Sequence, residues 1–258
     1  MKIHMFLSVF TMSAAIMNGQ QNIQVSSGKI TYDEKVKIEL KLEGDAAAMA
    51  ANLPKERRME KILTFNGEAM LFEDGNRNVE DEMVPQSEHG DGAIRVRMMV
   101  SGENKIYTDL KTKKVIDQRD FMNRIFLVEK DLPVIDWKIS GNQKMILGYN
   151  CIEATRTDTA GNKTVAWFAP SINVGGGPSG LGSLPGMILE ADINNGSRIY
   201  VAKTVESLKP VEVKIQKPKD GKFVTEDEYK KIVAEKLKEM GVEEGAGGNQ
   251  MRIVIRHQ

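Results

Sequence analysis

Gly175-Gly-Gly-Pro-Ser-Gly-Leu-Gly-Ser-Leu-Pro-Gly-Met-Ile-Leu-Glu190 places six glycines and two prolines ahead of an apolar run. Glycine frees the backbone and proline fixes it, so residues 175–186 read as irregular structure. Residues 187–191 then read as a strand. Asn195-Gly196 follows, the clearest tight-turn signal in the chain. Ser197-Arg-Ile-Tyr-Val-Ala-Lys-Thr-Val205 is the return strand. A glycine-proline loop feeding a hairpin points to an antiparallel β fold.

The segments upstream obey the same pattern. Tyr149-Asn-Cys-Ile-Glu-Ala-Thr-Arg-Thr157 and Lys163-Thr-Val-Ala-Trp-Phe168 flank the turn Asp158-Thr-Ala-Gly-Asn162. Trp137-Lys-Ile139 is expected to pair with Met145-Ile-Leu147 across Ser140-Gly-Asn-Gln143. Arg119-Asp-Phe-Met-Asn-Arg-Ile-Phe-Leu-Val-Glu129 reads as one extended segment. Residues 104–109 and 114–117 are predicted strands joined at 110–113, and residues 93–100 another. Ile62-Leu-Thr-Phe-Asn-Gly-Glu-Ala-Met-Leu-Phe72 is a predicted hairpin turning at Asn66-Gly67, behind an exposed charged stretch over 55–61. Val36, Ile38, Leu40 and Leu42 alternate with polar residues, which marks a half-buried strand. Residues 45–51 are alanine-rich and predict a short helix. Residues 211–215 alternate again.

Thr225-Glu-Asp-Glu228 is a capping box, in which hydroxyl and carboxylate each accept a bond from an orphan helical N–H. Tyr229, Ile232, Val233, Lys236, Leu237 and Met240 then recur at helical spacing, and Gly241 ends the helix. The expected fold class is mainly β: an antiparallel, open curved sheet or half-barrel with a C-terminal helix, with a β-sandwich as the alternative. The expected organisation is a signal peptide over 1–20, the β domain over 21–215, the amphipathic helix region over 216–241 and a flexible tail over 242–258.

Charge and leader narrow the function. Lys+Arg and Asp+Glu both number 36, and aromatics are 6%. Neither a basic surface nor a stacking platform for nucleic acid is expected. Lys2 precedes an apolar run over 3–16, too short to span a bilayer, and Asn18-Gly19-Gln20-Gln21 breaks it. This predicts an exported protein, cleaved after Gly19 or Gln20, with no transmembrane span. Cys151 is the only cysteine, so no internal disulfide is expected, and it reads as a buried small hydrophobe. A thiol nucleophile would need a histidine, and only His89 and His257 lie beyond the leader.

Specific chemistries fail on their neighbours. Residues 73–91 form an acidic loop in which Asp74, Asn76 and Asn78 match three calcium-loop positions. Val79 stands where glycine is required, and Pro85 where a bidentate glutamate is required. Glu88, His89 and Asp91 beside it read as solvated loop residues, so no metal site is expected. Gly175, Gly177 and Gly180 match the dinucleotide spacing, but Pro178 interrupts and a strand follows where a helix N-terminus must hold the pyrophosphate. Ser179 and Ser183 lack the flanking glycines of a nucleophile elbow. No catalytic residue and no cofactor is assigned.

Trp167-Phe-Ala-Pro-Ser-Ile-Asn-Val174, Gly177-Pro178 and Ser183-Leu-Pro-Gly-Met-Ile-Leu-Glu190 resemble the signature of the GLPGLI family of exported Bacteroidetes proteins. Asp131-Leu-Pro-Val-Ile-Asp-Trp-Lys138 and Gly148-Tyr-Asn-Cys151 fit as well. The resemblance runs over about residues 30–208. Ser183 stands for the first Gly of the name motif and Met187 for its second Leu. The family has no established activity, so the resemblance implies a periplasmic or outer-membrane location and no catalytic residues. It also implies two further features. Asp158-Thr159-Ala160 is similar to an O-glycosylation motif at Thr159, and an outer-membrane TonB-dependent receptor is an implied partner.

The function expected is a non-enzymatic binding or accessory protein of the cell envelope. It would hold an apolar ligand, or a segment of an outer-membrane partner, at Trp167, Pro178, Leu184, Pro185 and Gly186. The alternative is a metal-dependent hydrolase of the periplasm. A third expectation gives the acidic loop over 73–91 the contact with a receptor.

Overall fold

The computed structural model describes residues 24–37, 55–75, 104–239, 242–244 and 253–255. Their strands in chain order are β1 (Gly28–Lys37), β2 (Glu56–Phe65), β3 (Ala69–Asp74), β4 (Lys105–Asp109), β5 (Lys114–Phe121), β6 (Arg124–Asp131) and β7 (Lys138–Ile146). Then come β8 (Tyr149–Thr157), β9 (Lys163–Ala169), β10 (Met187–Ile193), β11 (Arg198–Ser207) and β12 (Lys222–Val224). Helix α1 (Glu226–Glu239) precedes β13 (Val242–Glu244) and β14 (Ile253–Ile255). The first twelve strands form one open sheet in the order β12-β6-β5-β4-β3-β2-β1-β11-β10-β9-β8-β7. Every ladder in it is antiparallel except β12 on β6. β13 and β14 pair separately.

The connectivity shows that this sheet is curved. β6 and β7 are ten ladder steps apart in the sheet order. A flat sheet would separate them by about 48 Å at ~4.8 Å per step. Residues 132–137 alone join Asp131 to Lys138, and an extended chain of that length reaches only about 25 Å. The two limbs must therefore bend toward each other, with residues 132–137 as a strap across the concave side.

The concave face is covered in two parts. Along one limb, register places Met70, Thr108, Val115, Asp117, Arg119 and Phe121 on one face. Helix α1 lies there, its Tyr229, Ile232 and Val233 packed on Phe121, Phe126, Val128 and Val224. The capping box is formed: the Glu228 N–H donates to Thr225 Oγ1 at 3.2 Å, and the Thr225 N–H donates to Glu228 Oε2 at 2.8 Å. Elsewhere the cover is residues 170–186, the connection from β9 to β10. Ile172, Val174 and Leu184 share a core with Tyr32, Leu63, Phe65, Met70, Phe72, Phe168 and Ile188.

The open single sheet with its C-terminal helix is the expected class; no second face-to-face sheet makes a sandwich among the described residues. Local readings change in four places. Residues 55–61 are mostly strand, since β2 starts at Glu56; Lys55, Glu56, Arg58 and Glu60 are exposed as expected, but Lys61 is buried. The segment 119–129 is divided by a turn at Met122 and Asn123, whose φ values of 54° and 59° reverse the chain. Ser140 to Gln143 is a bulge inside β7, and the hairpin turns at Leu147-Gly148 instead, at φ 51° and 82°. Residues 211–215 form no strand, since Pro210–Glu212 is a 3-10 turn.

Several expectations lie outside the described residues: the leader over 1–20, the first strand beyond Lys37, the alanine-rich helix, the strand over 93–100, His89 and His257. So do most of the acidic loop, with Glu88 and Asp91, and the helix end at Met240 and Gly241. No described helix is long and apolar enough to cross a membrane.

Candidate functional site

The glycine-proline loop enters the concave face at close quarters. The Ile188 N–H donates to Gly176 O at 2.8 Å, tying the loop to β10. A Cβ on Gly176 would overlap Met70 Sδ, and one on Gly186 would overlap the Ala169 carbonyl. At Gly186 only hydrogen fits, and at Gly176 a side chain would require Met70 to move, so the glycines serve close packing. The tip at Pro178–Gly180 reaches β3 and β4, with Ser179 beside the Tyr200 hydroxyl of β11.

Beneath the loop lies a network of buried polar groups. The Tyr32 hydroxyl donates to Ile188 O at 2.6 Å, and the Tyr200 hydroxyl donates to Glu34 at 2.7 Å. Phe72 meets both rings edge-on, with centroids 6.4 and 5.9 Å away. Burial pushes both phenols well above their ordinary range; at Tyr200 the Glu34 carboxylate adds to the effect. Lys61 and Arg198 lie 3.5 and 3.4 Å from Glu34, and Lys61 also pairs with Asp74. Two cations and a phenol thus compensate a carboxylate that would be costly to bury alone.

The strap and the loop meet at the rim. The Trp137 indole N–H donates to Gly182 O at 2.8 Å, and the Ile135 N–H donates to Ser183 Oγ at 3.0 Å. Between them opens a groove of about 620 Å³. Leu132, Pro133 and Val134 of the strap form one wall, and Asn173, Val174, Gly175, Ser183 and Leu184 of the loop form another. Gly67, Leu110 and Lys113, from two hairpin ends, close it. Val134 is 94% exposed, an apolar side chain held at the opening.

The sequence-predicted ligand residues are spread over four environments. Pro178 and Gly186 are buried within the loop, and Leu184 is buried with one side on the groove. Pro185 is exposed. Trp167 alternates with Phe168, so it projects from the opposite, convex face, where Lys144 Nζ lies 4.3 Å from its ring centroid. Thr159 is exposed in a turn whose Asp158 carboxylate accepts from the Ala160 and Asn162 N–H groups. Cys151 is fully buried, and desolvation pushes its thiol up to about 11, so it is not a thiolate at neutral pH. Asp74 is held by Lys61. Among the described residues no group of three His, Cys, Asp or Glu could hold a metal ion.

Sequence reasoning missed Leu110, Lys113 and residues 132–134, because the groove joins segments far apart in the chain. The one available signal was Leu132-Pro-Val134, an apolar run with no strand partner.

A family model described as "N-glycanase peptide, N-terminal domain" matches residues 98–231, just over half of the chain. The chain belongs to this family. Two solved structures of PNGF-II share the fold: one, in space group C2, has a TM-score of 0.53 at 20% identity over 80% of this chain. The other, in space group P21, has a TM-score of 0.52 at 18% identity over 81% of this chain. The chain spans about a third of their length, 32% and 33%. No curated protein matches the sequence.

Proposed function

We propose that the chain is an exported, non-enzymatic binding domain of the cell envelope. In this reading it holds an apolar ligand, or an extended segment of an outer-membrane partner, in the groove between strap and loop. The observation that carries it is the groove itself. Its apolar lining is presented at the rim while the concave interior is already filled by the chain's own loop. Concave apolar sites with a few polar groups are where ligands are held, and Lys113, Asn173 and Ser183 supply those groups here.

Membership in a family of N-glycanase N-terminal domains supports an accessory role, since the matched part is a domain of a longer protein. Export rests on the apolar run over 3–16. The resemblance to the exported Bacteroidetes family supports an envelope location, a TonB-dependent receptor as partner and glycosylation at exposed Thr159. Native mass spectrometry of protein purified from its own envelope should show a co-purifying ligand or receptor. Leu132→Asp with Val134→Asp should abolish that retention while the fold survives; retention equal to wild type would sink the siting.

A further inference from the structure

We propose that the groove between strap and loop takes a single-chain anionic amphiphile, an alkyl chain ending in a carboxylate or a phosphate, with Lys113 at its head group. This rests on the groove being a ligand site and names the class of the ligand. Among the described residues that line the groove, Lys113 is the one charged side chain, and there is no carboxylate. Its neighbours Lys111 and Lys114 pair with Glu68 and Asp131, whereas Lys113 has no such pair among the described residues. The turn that carries it is fastened to the strap, because the Leu132 N–H donates to Lys113 O at 2.8 Å. The ammonium is therefore tethered beside the apolar wall of Leu132, Pro133 and Val134. An exposed cation beside an apolar wall complements a ligand that is itself apolar with one anionic end.

The same walls disfavour an extended peptide. A peptide carries an N–H and a C=O at each residue, and these need partners when they leave water. The wall N–H groups of Leu132, Asn173 and Val174 already donate to Lys113, Val25 and Ile172, and Pro133 has none. The Ser183 hydroxyl accepts the Ile135 N–H and donates to Pro133 O at 3.4 Å. No ladder of the kind that holds an added strand can form on those groups. A methylene chain has no polar groups to satisfy, and a volume of about 620 Å³ is that of a small-molecule site. A cationic chain would be repelled by Lys113 and would meet no carboxylate on the described lining.

The test uses the whole chain, labelled with ¹⁵N, and three probes below their micelle concentrations: dodecanoate, dodecyl phosphate and dodecyltrimethylammonium. The Trp137 indole N–H, bonded to Gly182 O beside the groove, reports occupancy, and the Trp167 indole on the convex face is the control. At least one anionic probe should move the Trp137 signal saturably and leave Trp167 in place. Which anion binds tighter distinguishes a carboxylate ligand from a phosphate one. By calorimetry the better anion should bind about fivefold or more tighter than the cation. Lys113 sits at φ 57°, and replacing it with another side chain that has a Cβ leaves that backbone cost unchanged. Lys113→Glu should therefore fold and reverse the order of anion and cation, and Lys113→Gln should bring them within about twofold of each other. The proposal is overturned if no anion moves Trp137 up to about 1 mM, if Trp167 alone responds, or if folded Lys113→Glu keeps the wild-type order. Equal binding of anion and cation to wild type also overturns it, yet leaves the groove a ligand site. Failure of the groove reading itself shows separately, as a co-purifying ligand still retained by the variant with Leu132→Asp and Val134→Asp.

Discussion

At the scale of single residues, the loop is decided by what its neighbours leave free. Gly176 and Gly186 both crowd any added side chain, but against different partners. At Gly186 the obstacle is the backbone of Ala169 and Pro170, whose Cα would lie 2.8 Å from a new Cβ. At Gly176 it is the flexible end of Met70, which can rotate away at some packing cost. Gly186→Ala should therefore lower the unfolding free energy by about 3 kcal/mol or more, and Gly176→Ala by about 1–2 kcal/mol. Urea melts of the two variants give the order; equal losses would refute it. Ser183 is a different case. It sits at φ 65°, a left-handed conformation that costs a non-glycine residue about 1 kcal/mol. Its hydroxyl accepts the Ile135 N–H and so returns a bond worth about 1 kcal/mol. Ser183→Ala loses the bond and keeps the strain, so it should cost about 1 kcal/mol, whereas Ser183→Gly exchanges one for the other and should be within about 0.5 kcal/mol of wild type. Glycine is what a left-handed backbone favours. A Ser183→Ala stability equal to wild type would refute the balance.

At the scale of elements, helix α1 is attached by one polar clasp beside its apolar stripe. Arg119 of β5 donates to Glu226 at 3.1 and 3.0 Å and to Asp117 at 2.6 and 3.0 Å, with its guanidinium 4.8 Å from the Tyr229 ring centroid. The Arg119 bonds hold the Glu226 carboxyl below its ordinary value of 4.5. A folded pKa below the unfolded one means this contribution is complete above the unfolded value and is lost as pH falls through the folded one. Wild type should therefore lose more thermal stability than Arg119→Ala between pH 7 and about pH 3. Parallel acid losses in the two proteins would show that the clasp contributes nothing. The helix was legible beforehand because cap and stripe are local signals. So were the turns at Asn66-Gly67 and Asn195-Gly196. The Met122-Asn123 and Leu147-Gly148 turns were not, because an asparagine after methionine inside an apolar run looks like strand, and the more conspicuous Ser140-Gly-Asn pulled the hairpin turn to the wrong place. Glu34 and Lys61 were unreadable for another reason: a buried charge is explained only by a partner brought from a distant strand.

For the whole molecule, curvature is the property on which the site depends, and it has two candidate causes. The strap could hold the limbs together as a chord, or the sheet could be curved by its own ladders. Register breaks occur between Thr31 and Tyr32 in β1, between Ile188 and Glu190 in β10, and between Ile139 and Gln143 in β7. Bulges of this kind increase local twist and bend a sheet. All three lie in the limb that ends at β7, which must turn back toward β6. The loop fills the same limb with Ile172, Val174 and Leu184, so a flattened sheet would expose that core. The ladders and their core thus determine the bend, and the strap follows it. Period-two patterning could show that strands exist, but neither the ten-step separation of β6 and β7 nor the place of residues 170–186 within the bend, since both depend on strand order. Insertion of ten Gly/Ser residues between Val134 and Ile135 separates the two causes. If the ladders set the curvature, the longer loop should cost only about 1 kcal/mol in closure entropy, with the Trp137 indole signal still reporting its bond to Gly182. If the strap holds the limbs, the insertion should cost several kcal/mol and release the Trp137 indole, and that outcome would move the origin of the bend from the ladders to the chord.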